Sequence, residues 1–259
     1  MPITLAKIFR YPVKGLTAQE LPAAELTAGQ ALPGDRRYAL LHGAATLEAG
    51  HHEEGWRPKS DFLQLARHEK LAALETEFDE DTQTLVIYRG GRPVSRGRLD
   101  QPMGRMLVEQ FFAAYMAGSA PGAPKLAEAK GFAYTDTDTP FVSLLNLASV
   151  HDIERVAKQP VDPTRFRGNL WLDGLDPWEE RNWGGRTLTV GGTGGGATLE
   201  VVRPIGRCAA TEVNPGTGAR DLNVLRTLRD GFGHTHCGVY ARVVGGGRIA
   251  AGDPVTLTE

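Results

Sequence analysis

Short apolar stretches bounded by glycine, proline and charged residues recur along the chain, and their lengths predict strands joined by tight turns. In the N-terminal third, ITLAKIFRYPV, DRRYALLHG, FLQLARHEKLAALETEF and TLVIYRG alternate with loops. Three glycine clusters lie between such stretches: Gly90-Gly91 in TLVIYRGGRPVSRG, Gly191 to Gly196 in TLTVGGTGGGATLEVV, and Gly245-Gly246-Gly247 in GVYARVVGGGRIAAGDPVTL. Each reads as a hairpin turn. The run at 191–196 is not a dinucleotide fingerprint, because that motif leads into a helix whose N-terminus holds a pyrophosphate, and here another strand follows.

Three stretches switch to helical spacing. After Asp100, with Pro102 in the first turn, GRMLVEQFFAAYMAG puts Met106, Leu107, Gln110, Phe111 and Ala114 on one face. In NLASVHDIERVAKQ, Val150, Ile153 and Val156-Ala157 recur at helical spacing until Pro160. In DLNVLRTLRDG, Asp221 or Asn223 caps the start and Gly231 supplies the end. Between the first helix and the rest, SAPGAPKLAEAKG has the composition of a linker. These features predict two domains, 1–125 and 126–259. The fold class expected is mixed and β-rich: strands with short connections and no βαβ rhythm, closing into a β-barrel with peripheral helices.

Composition narrows the function. The chain has 259 residues, 41% of them apolar, enough for a sizeable core. Its 29 basic and 31 acidic residues leave a net charge of −2, which offers no global field for nucleic acid or a membrane, so an anionic ligand must be caught locally. Two cysteines exclude a disulfide framework, a four-thiolate zinc site and an iron–sulfur cluster. With no apolar N-terminal run, the expected compartment is a reducing cytoplasm.

One of those cysteines, Cys208, stands in RPIGRCAATEVNPGTG beside Arg207 and near Arg203. Arginine stabilises a thiolate, the form that acts as nucleophile or metal ligand. If LEVVRPIGR is a strand, Arg203 and Arg207 share a face and Cys208 takes the other, unless the turn at NPGTG undoes the alternation. The other reading is a small buried hydrophobe.

The segment RCAATEVNPGTGARDLNVLRTLRD resembles the signature of MOSC domains, named for the C-terminal domain of molybdenum-cofactor sulfurases. RFRGNLWLDGLDPWEERNWGGRTLTVG is similar to the segment that precedes it there. IFRYPVKGL followed by GDRRYAL resembles the N-terminal β-barrel domain paired with MOSC in the mitochondrial amidoxime-reducing component and its bacterial relatives. The likeness spans nearly the whole chain.

The resemblance implies a pyranopterin molybdenum cofactor with Cys208 as the protein ligand to the metal, a coherent pairing because soft thiolate suits a metal already held by dithiolene sulfur. By motif position, Lys14, Arg36, Arg167, Asn169 and Arg207 would bind the cofactor and its phosphate. They come from both halves, so the cofactor is expected in the cleft between them. As residues alone, Lys14 and Arg36 also read as surface charges, Arg167 as a partner of Asp173 or Glu179, and Asn169 as a turn former. Trp178 and Trp183 are expected to pack against the barrel. Gly15 and Gly168 stand where the family carries serine and proline.

Reductases of this kind have an acidic or hydroxyl-bearing segment near the metal, and YTDTDTPF supplies it here. Asp136, Asp138 and Thr139 are candidates, with Asp138 as a catalytic group and Thr139 as a cofactor contact preferred because they adjoin Pro140; a plain turn into FVSLL is the alternative. In GHTHCGVY, His234, His236 and Cys237 could join Cys208 in a zinc set, but the two histidines would share a strand face that Cys237 leaves, and the spacing matches no common zinc pattern. His236 fits better as a proton donor near the cofactor. His51 and His52 lie in a loop that could border a substrate mouth, and Lys59 adds to the anion-binding set.

The reading reached is an oxidoreductase that reduces an N-oxygenated small molecule, such as an N-hydroxylated amidine or hydroxylamine. The alternatives are a carrier of the cofactor or of persulfide sulfur on Cys208, and a non-enzymatic module in which Cys208 is structural. The chain ends at GDPVTLTE without a ferredoxin-like domain, so electrons are expected from a separate ferredoxin, flavodoxin or reductase. No membrane anchor is expected.

Overall fold

The computed structural model describes residues 2–43, 55–192 and 195–258; His51 and His52 fall outside the described residues. In chain order the first strands are β1 (Thr4–Arg10), β2 (Gln19–Leu21), β3 (Ala23–Leu26), β4 (Tyr38–Leu41), β5 (Leu74–Asp79), β6 (Thr84–Arg89), β7 (Arg92–Arg98) and β8 (Lys125–Glu128). The remainder are β9 (Val142–Asn146), β10 (Leu170–Asp173), β11 (Thr187–Val190), β12 (Ala197–Gly206), β13 (His236–Gly245), β14 (Gly247–Ala250) and β15 (Val255–Thr258). The helices are α1 (Pro102–Tyr115), α2 (Leu147–Ala157) and α3 (Val224–Phe232).

A curled half-barrel sheet dominates, in the order β15-β11-β12-β13-β9-β10-β1-β2. Its central strand β9 is buried at all five positions, as expected for a strand paired on both edges and covered on both faces. Val142 and Leu144 turn into the main core with Leu5, Ile8, Leu170 and Leu172. Leu145, Phe9 and Trp171 turn the other way, onto α2 and α3 through Val150, Ile153 and Leu228. The first strand thus belongs to the same sheet as the C-terminal half: Ile8 pairs with Leu170 and, on its other edge, with Leu21.

The middle of the N-terminal half forms a meander, β5-β6-β7, and a β4-β8 pair, which with α1 enclose a second core around Tyr38, Leu85, Val108 and Phe112. The face of α1 differs from the one its apolar pattern predicts: Gly104, Val108 and Phe112 are buried, and Met106 and Leu107 are exposed. The reason is steric. A Cβ on Gly104 would sit 2.1 Å from the Arg98 carbonyl oxygen, so the helix backbone rests directly on β7, and the contacting residue is a glycine with no hydrophobic signature.

The other two helices follow their caps. Asn146 accepts from the Ala148 amide to start α2, and Asn223 accepts from the Arg226 amide to start α3. The end of α3 lies at Gly233, with φ of 72°, two residues beyond the expected Gly231. Gly231 remains helical and lets Val156 of α2 approach closely, since a Cβ there would meet Val156 Cγ1 at 2.8 Å.

Gly90-Gly91 joins β6 to β7 as a hairpin, and β11 pairs antiparallel with β12, Val190 opposite Ala197, on either side of the other glycine run. The cluster at Gly245–Gly247 is not a hairpin turn. There the chain leaves the main sheet, and β14 pairs with β3. A Cβ on Gly247 would lie 2.2 Å from the Gly196 carbonyl oxygen, so these glycines serve close passage of two backbones instead of a turn.

Candidate functional site

Four segments converge on one cavity of about 140 Å³. The first continues β1: Lys14 donates its amide to the Tyr38 carbonyl at 2.8 Å, which turns its side chain under the segment 134–136. There the buried ammonium donates to the Tyr134 carbonyl oxygen at 2.9 Å and to Asp136 at 2.6 Å. Burial lowers the Lys14 pKa, with Asp136 working against that shift. Burial also opposes the charged form of Asp136, but Lys14, helped by Lys59 and Arg36, outweighs it and holds the carboxyl at about 2.

Arg36 precedes β4 and Arg167 follows the short 3-10 turn Pro163–Phe166. Both take positive φ, 49° and 52°, which non-glycine residues adopt at some cost. Both guanidinium groups lie against the ring of Tyr11, with carbon-to-centroid distances of 4.8 Å for Arg36 and 4.0 Å for Arg167. Arg36 is paired with Asp35 and donates to the Arg167 carbonyl oxygen at 3.2 Å; Arg167 donates to the Leu16 carbonyl oxygen at 2.9 Å. Burial pulls Arg167 down to about 10, still cationic at neutral pH, and pushes Tyr11 up to about 12.

The fourth segment is the end of β12. Register shifts between Val201 and Arg203 and between Pro204 and Gly206 break the strict alternation expected along LEVVRPIGR. Arg203 lies over the Tyr240 ring, 5.0 Å from its centroid. Arg207 turns inward, donating to the Phe166 and Cys237 carbonyl oxygens at 2.7 Å each. Cys208 is only half-buried and lines the cavity with Arg207. It opens the 3-10 turn Ala209–Glu212, its carbonyl accepting from the Thr211 amide and hydroxyl.

The cavity therefore brings together Lys14, Arg36, Arg167, Asn169, Arg207 and Cys208, all singled out in the sequence, with Lys59 at its edge. Asn169 has a further duty: its amide accepts from the Ser143 amide and hydroxyl and donates to the Phe9 carbonyl oxygen, clamping β9 to β1. Gly15 also borders the cavity, with φ of 84°, a conformation that strains any side chain.

Of the acidic segment, Asp136 lines the cavity, and Asp138 and Thr139 lie outside its lining. Those two bond to each other, Thr139 hydroxyl to Asp138 carboxylate at 3.2 Å, in a turn stitched by Thr135 and Thr137 hydroxyls donating to backbone carbonyls. His236 also lies outside: it pairs with Gly206 in the sheet and stacks on His234, ring centroids 5.9 Å apart. Cys237 is fully buried, and burial pushes its thiol up to about 12. Among the described residues no group of three or more His, Cys, Asp and Glu could hold a metal ion. Trp183 sits in the main core, and Trp178 packs on Phe232 while donating to Asp152.

Arg165 is the main residue the sequence reading passed over. It is almost wholly buried, lines the cavity, and spends one nitrogen on both oxygens of Asp221 at 2.7 and 2.9 Å. Its Nε and Nη1, and Nη2 of Arg167, are sealed atoms without a hydrogen-bond partner among the described residues. Buried donors left unmade are costly, so together with Lys14 they give this cavity a polarity that an anionic, oxygen-rich group would satisfy. These residues fit the phosphate and metal of a pyranopterin cofactor. The signal in the sequence was the pair of arginines two apart in RFRGN.

The family model described as "MOSC domain" matches residues 134–256, and that described as "MOSC N-terminal beta barrel domain" matches residues 2–120. The chain is 31% identical over 137 residues to mitochondrial amidoxime-reducing component 1 of Homo sapiens, covering 48% of this chain and 38% of that protein. It is 26% identical over 242 residues to molybdenum cofactor sulfurase of Caenorhabditis elegans, covering 88% of this chain and 31% of that one. The matches thus span about a third of the length of these curated relatives. Among solved structures, the YuaD protein from Bacillus subtilis superposes with a TM-score of 0.47 at 12% identity, covering 99% of this chain and 96% of that one. YiiM from Geobacillus stearothermophilus gives 0.35 at 23%, covering 46% and 54%.

Proposed function

The chain belongs to the MOSC family, and from that premise we propose that it binds a pyranopterin molybdenum cofactor in the cavity at Cys208 and reduces N-oxygenated small molecules. The observation that carries this reading is the meeting, in one cavity, of a half-buried thiol with Lys14, Arg36, Arg165, Arg167 and Arg207.

When bound, the cofactor supplies two-electron redox chemistry at a metal held by soft sulfur. The protein supplies the rest. Cys208 offers a thiolate ligand from a backbone fixed by its own 3-10 turn. Arg165 and Arg167 offer guanidinium donors to the cofactor's phosphate, and the Tyr11 ring packs against both Arg167 and Arg36. Lys14 adds a point charge whose orientation is set by Tyr134 and Asp136. In this reading Asp136, the acidic residue that lines the cavity, is assigned the part expected of Asp138, Thr139 and His236. Electrons come from a separate carrier protein.

The second reading, a carrier delivering sulfur or cofactor from Cys208, is favoured by the alignment to the sulfurase, which extends over 88% of this chain. Molybdenum and pterin analysis of wild type beside Cys208→Ala, purified from cofactor-replete cells, tests the site. The alanine variant is expected to keep its fold and lose the metal; equal molybdenum in both rejects the ligand assignment. Reduction of an N-hydroxylated amidine by the loaded wild type with a chemical electron donor then separates reductase from carrier, because a carrier gives no turnover.

A further inference from the structure

A second chamber, of about 300 Å³, lies across the two arginines from Cys208. Gly15, Leu65, Arg165, Arg167 and Ala210 line both chambers, so the guanidinium side chains form part of the partition between them. Beyond it the walls are apolar and buried: Phe9, Leu16, Ala72, Leu74 and Val213, with Tyr11. Its more exposed lining is different, made of Thr17, Ala18, Asp162, Pro215 and Gly216, none of them buried. Its volume is at the low end for small-molecule sites, whose usual make-up is likewise apolar walls with a few fixed polar groups.

The polar group here is Arg165. Its side chain is 4% exposed, Asp221 engages only Nη2, and Nε and Nη1 have no partner among the described residues. Asp162, the carboxylate in the more exposed lining, is already occupied as the cap of the turn 163–166, accepting from the Thr164 amide and hydroxyl. A hydrocarbon alone would leave the guanidinium donors unmade, and an ion such as phosphate would gain nothing from the apolar walls.

We infer that this chamber is a second binding site, for a small amphiphilic monoanion: a carboxylate on a short aliphatic or aromatic body, its charge on Arg165 and its body against Leu16, Leu74 and Val213. The inference goes beyond the metal chemistry and does not need it. Because Arg165 and Arg167 border both chambers, an occupant here also changes which donors remain for an anion on the Cys208 side.

Titration calorimetry of the purified chain, at measured molybdenum content, with acetate, butyrate and hexanoate tests the site, with inorganic phosphate as the control. Each methylene that enters the chamber is expected to tighten carboxylate binding about fourfold. Ala18→Trp, which puts an indole into the more exposed lining, is expected to abolish that dependence on chain length and to leave phosphate binding unchanged. Arg165→Met is expected to weaken every carboxylate at least about tenfold. Hexanoate binding no tighter than acetate, or a length dependence that survives Ala18→Trp, overturns the proposal. Should Ala18→Trp fail to fold, unchanged hexanoate affinity in Arg165→Met overturns it alone.

Discussion

Arg167 holds its guanidinium carbon 4.0 Å from the centroid of the Tyr11 ring. With Arg36 against the same ring, one fully buried aromatic organises two cations whose backbones both sit at positive φ. Tyr11→Phe keeps the ring and loses only a long 3.4 Å contact to the Gly168 carbonyl, so a stability loss under about 1 kcal/mol is expected. Tyr11→Leu removes the plate, with an expected loss of about 2 to 4 kcal/mol. Urea unfolding gives these values, and phosphate titration gives the site's response. Equal phosphate affinity in the two variants would show that the ring does not position the arginines.

Asn169 is the clamp between β9 and β1. Its substitution by alanine removes the acceptor of the Ser143 amide and hydroxyl protons and the side-chain donor to the Phe9 carbonyl in the interior, and a loss of about 2 to 3 kcal/mol is expected. Denaturant unfolding measures it; a neutral result would mean that water replaces the amide.

Gly104 reverses a general rule. An interior helical Gly→Ala change ordinarily stabilises by about 1 kcal/mol. Here the new methyl would meet the Arg98 carbonyl oxygen at 2.1 Å, so Gly104→Ala is expected to destabilise and to move α1 away from β7. The sign of the change in thermal midpoint decides the matter.

The Lys14–Asp136 pair makes stability depend on acid. The folded Asp136 pKa of about 2 lies below the usual 3.8, so its contribution is present above about pH 4 and fades as pH falls toward 2. With the carboxylate half-exposed, solvent screening limits the effect to about 1 kcal/mol. Stability of wild type and Asp136→Asn, measured from pH 6 downward, should differ most at the neutral end and converge in acid. A constant gap would assign the effect to something other than titration of this carboxyl.

Most strands and all three helices were legible, because apolar runs, Pro102 in the first turn of α1 and the Asn223 cap of α3 act locally; the Asn146 cap of α2 was not singled out. The failures share a cause. The α1 face, the passage at Gly247 and the continuation of α3 past Gly231 are all set by glycines pressed against distant atoms, a signal invisible without knowing what lies opposite. In the cavity, the residues quoted with the family motifs lie together, while Arg165 and Tyr11 were missed. Their importance comes from the donors that Arg165 leaves unpaired and the two cations that Tyr11 packs against, and neither property has a sequence signature. Asp138 and His236 carry plausible chemistry in a strip of sequence, yet local turns and sheet register point them elsewhere.

The place of β1 between β2 and β10 has a consequence for biosynthesis. Ile8 leaves the ribosome long before its sheet neighbour Leu170. Until then the edge of β1 that faces β10 has no partner, and such distant pairing is intrinsically slow to form. Arg167 and Arg207, which belong to the cavity walls, emerge later still or alongside. The cavity is walled on every side only once Tyr240, the last of its lining residues, has emerged, so its occupant meets a finished site late in synthesis.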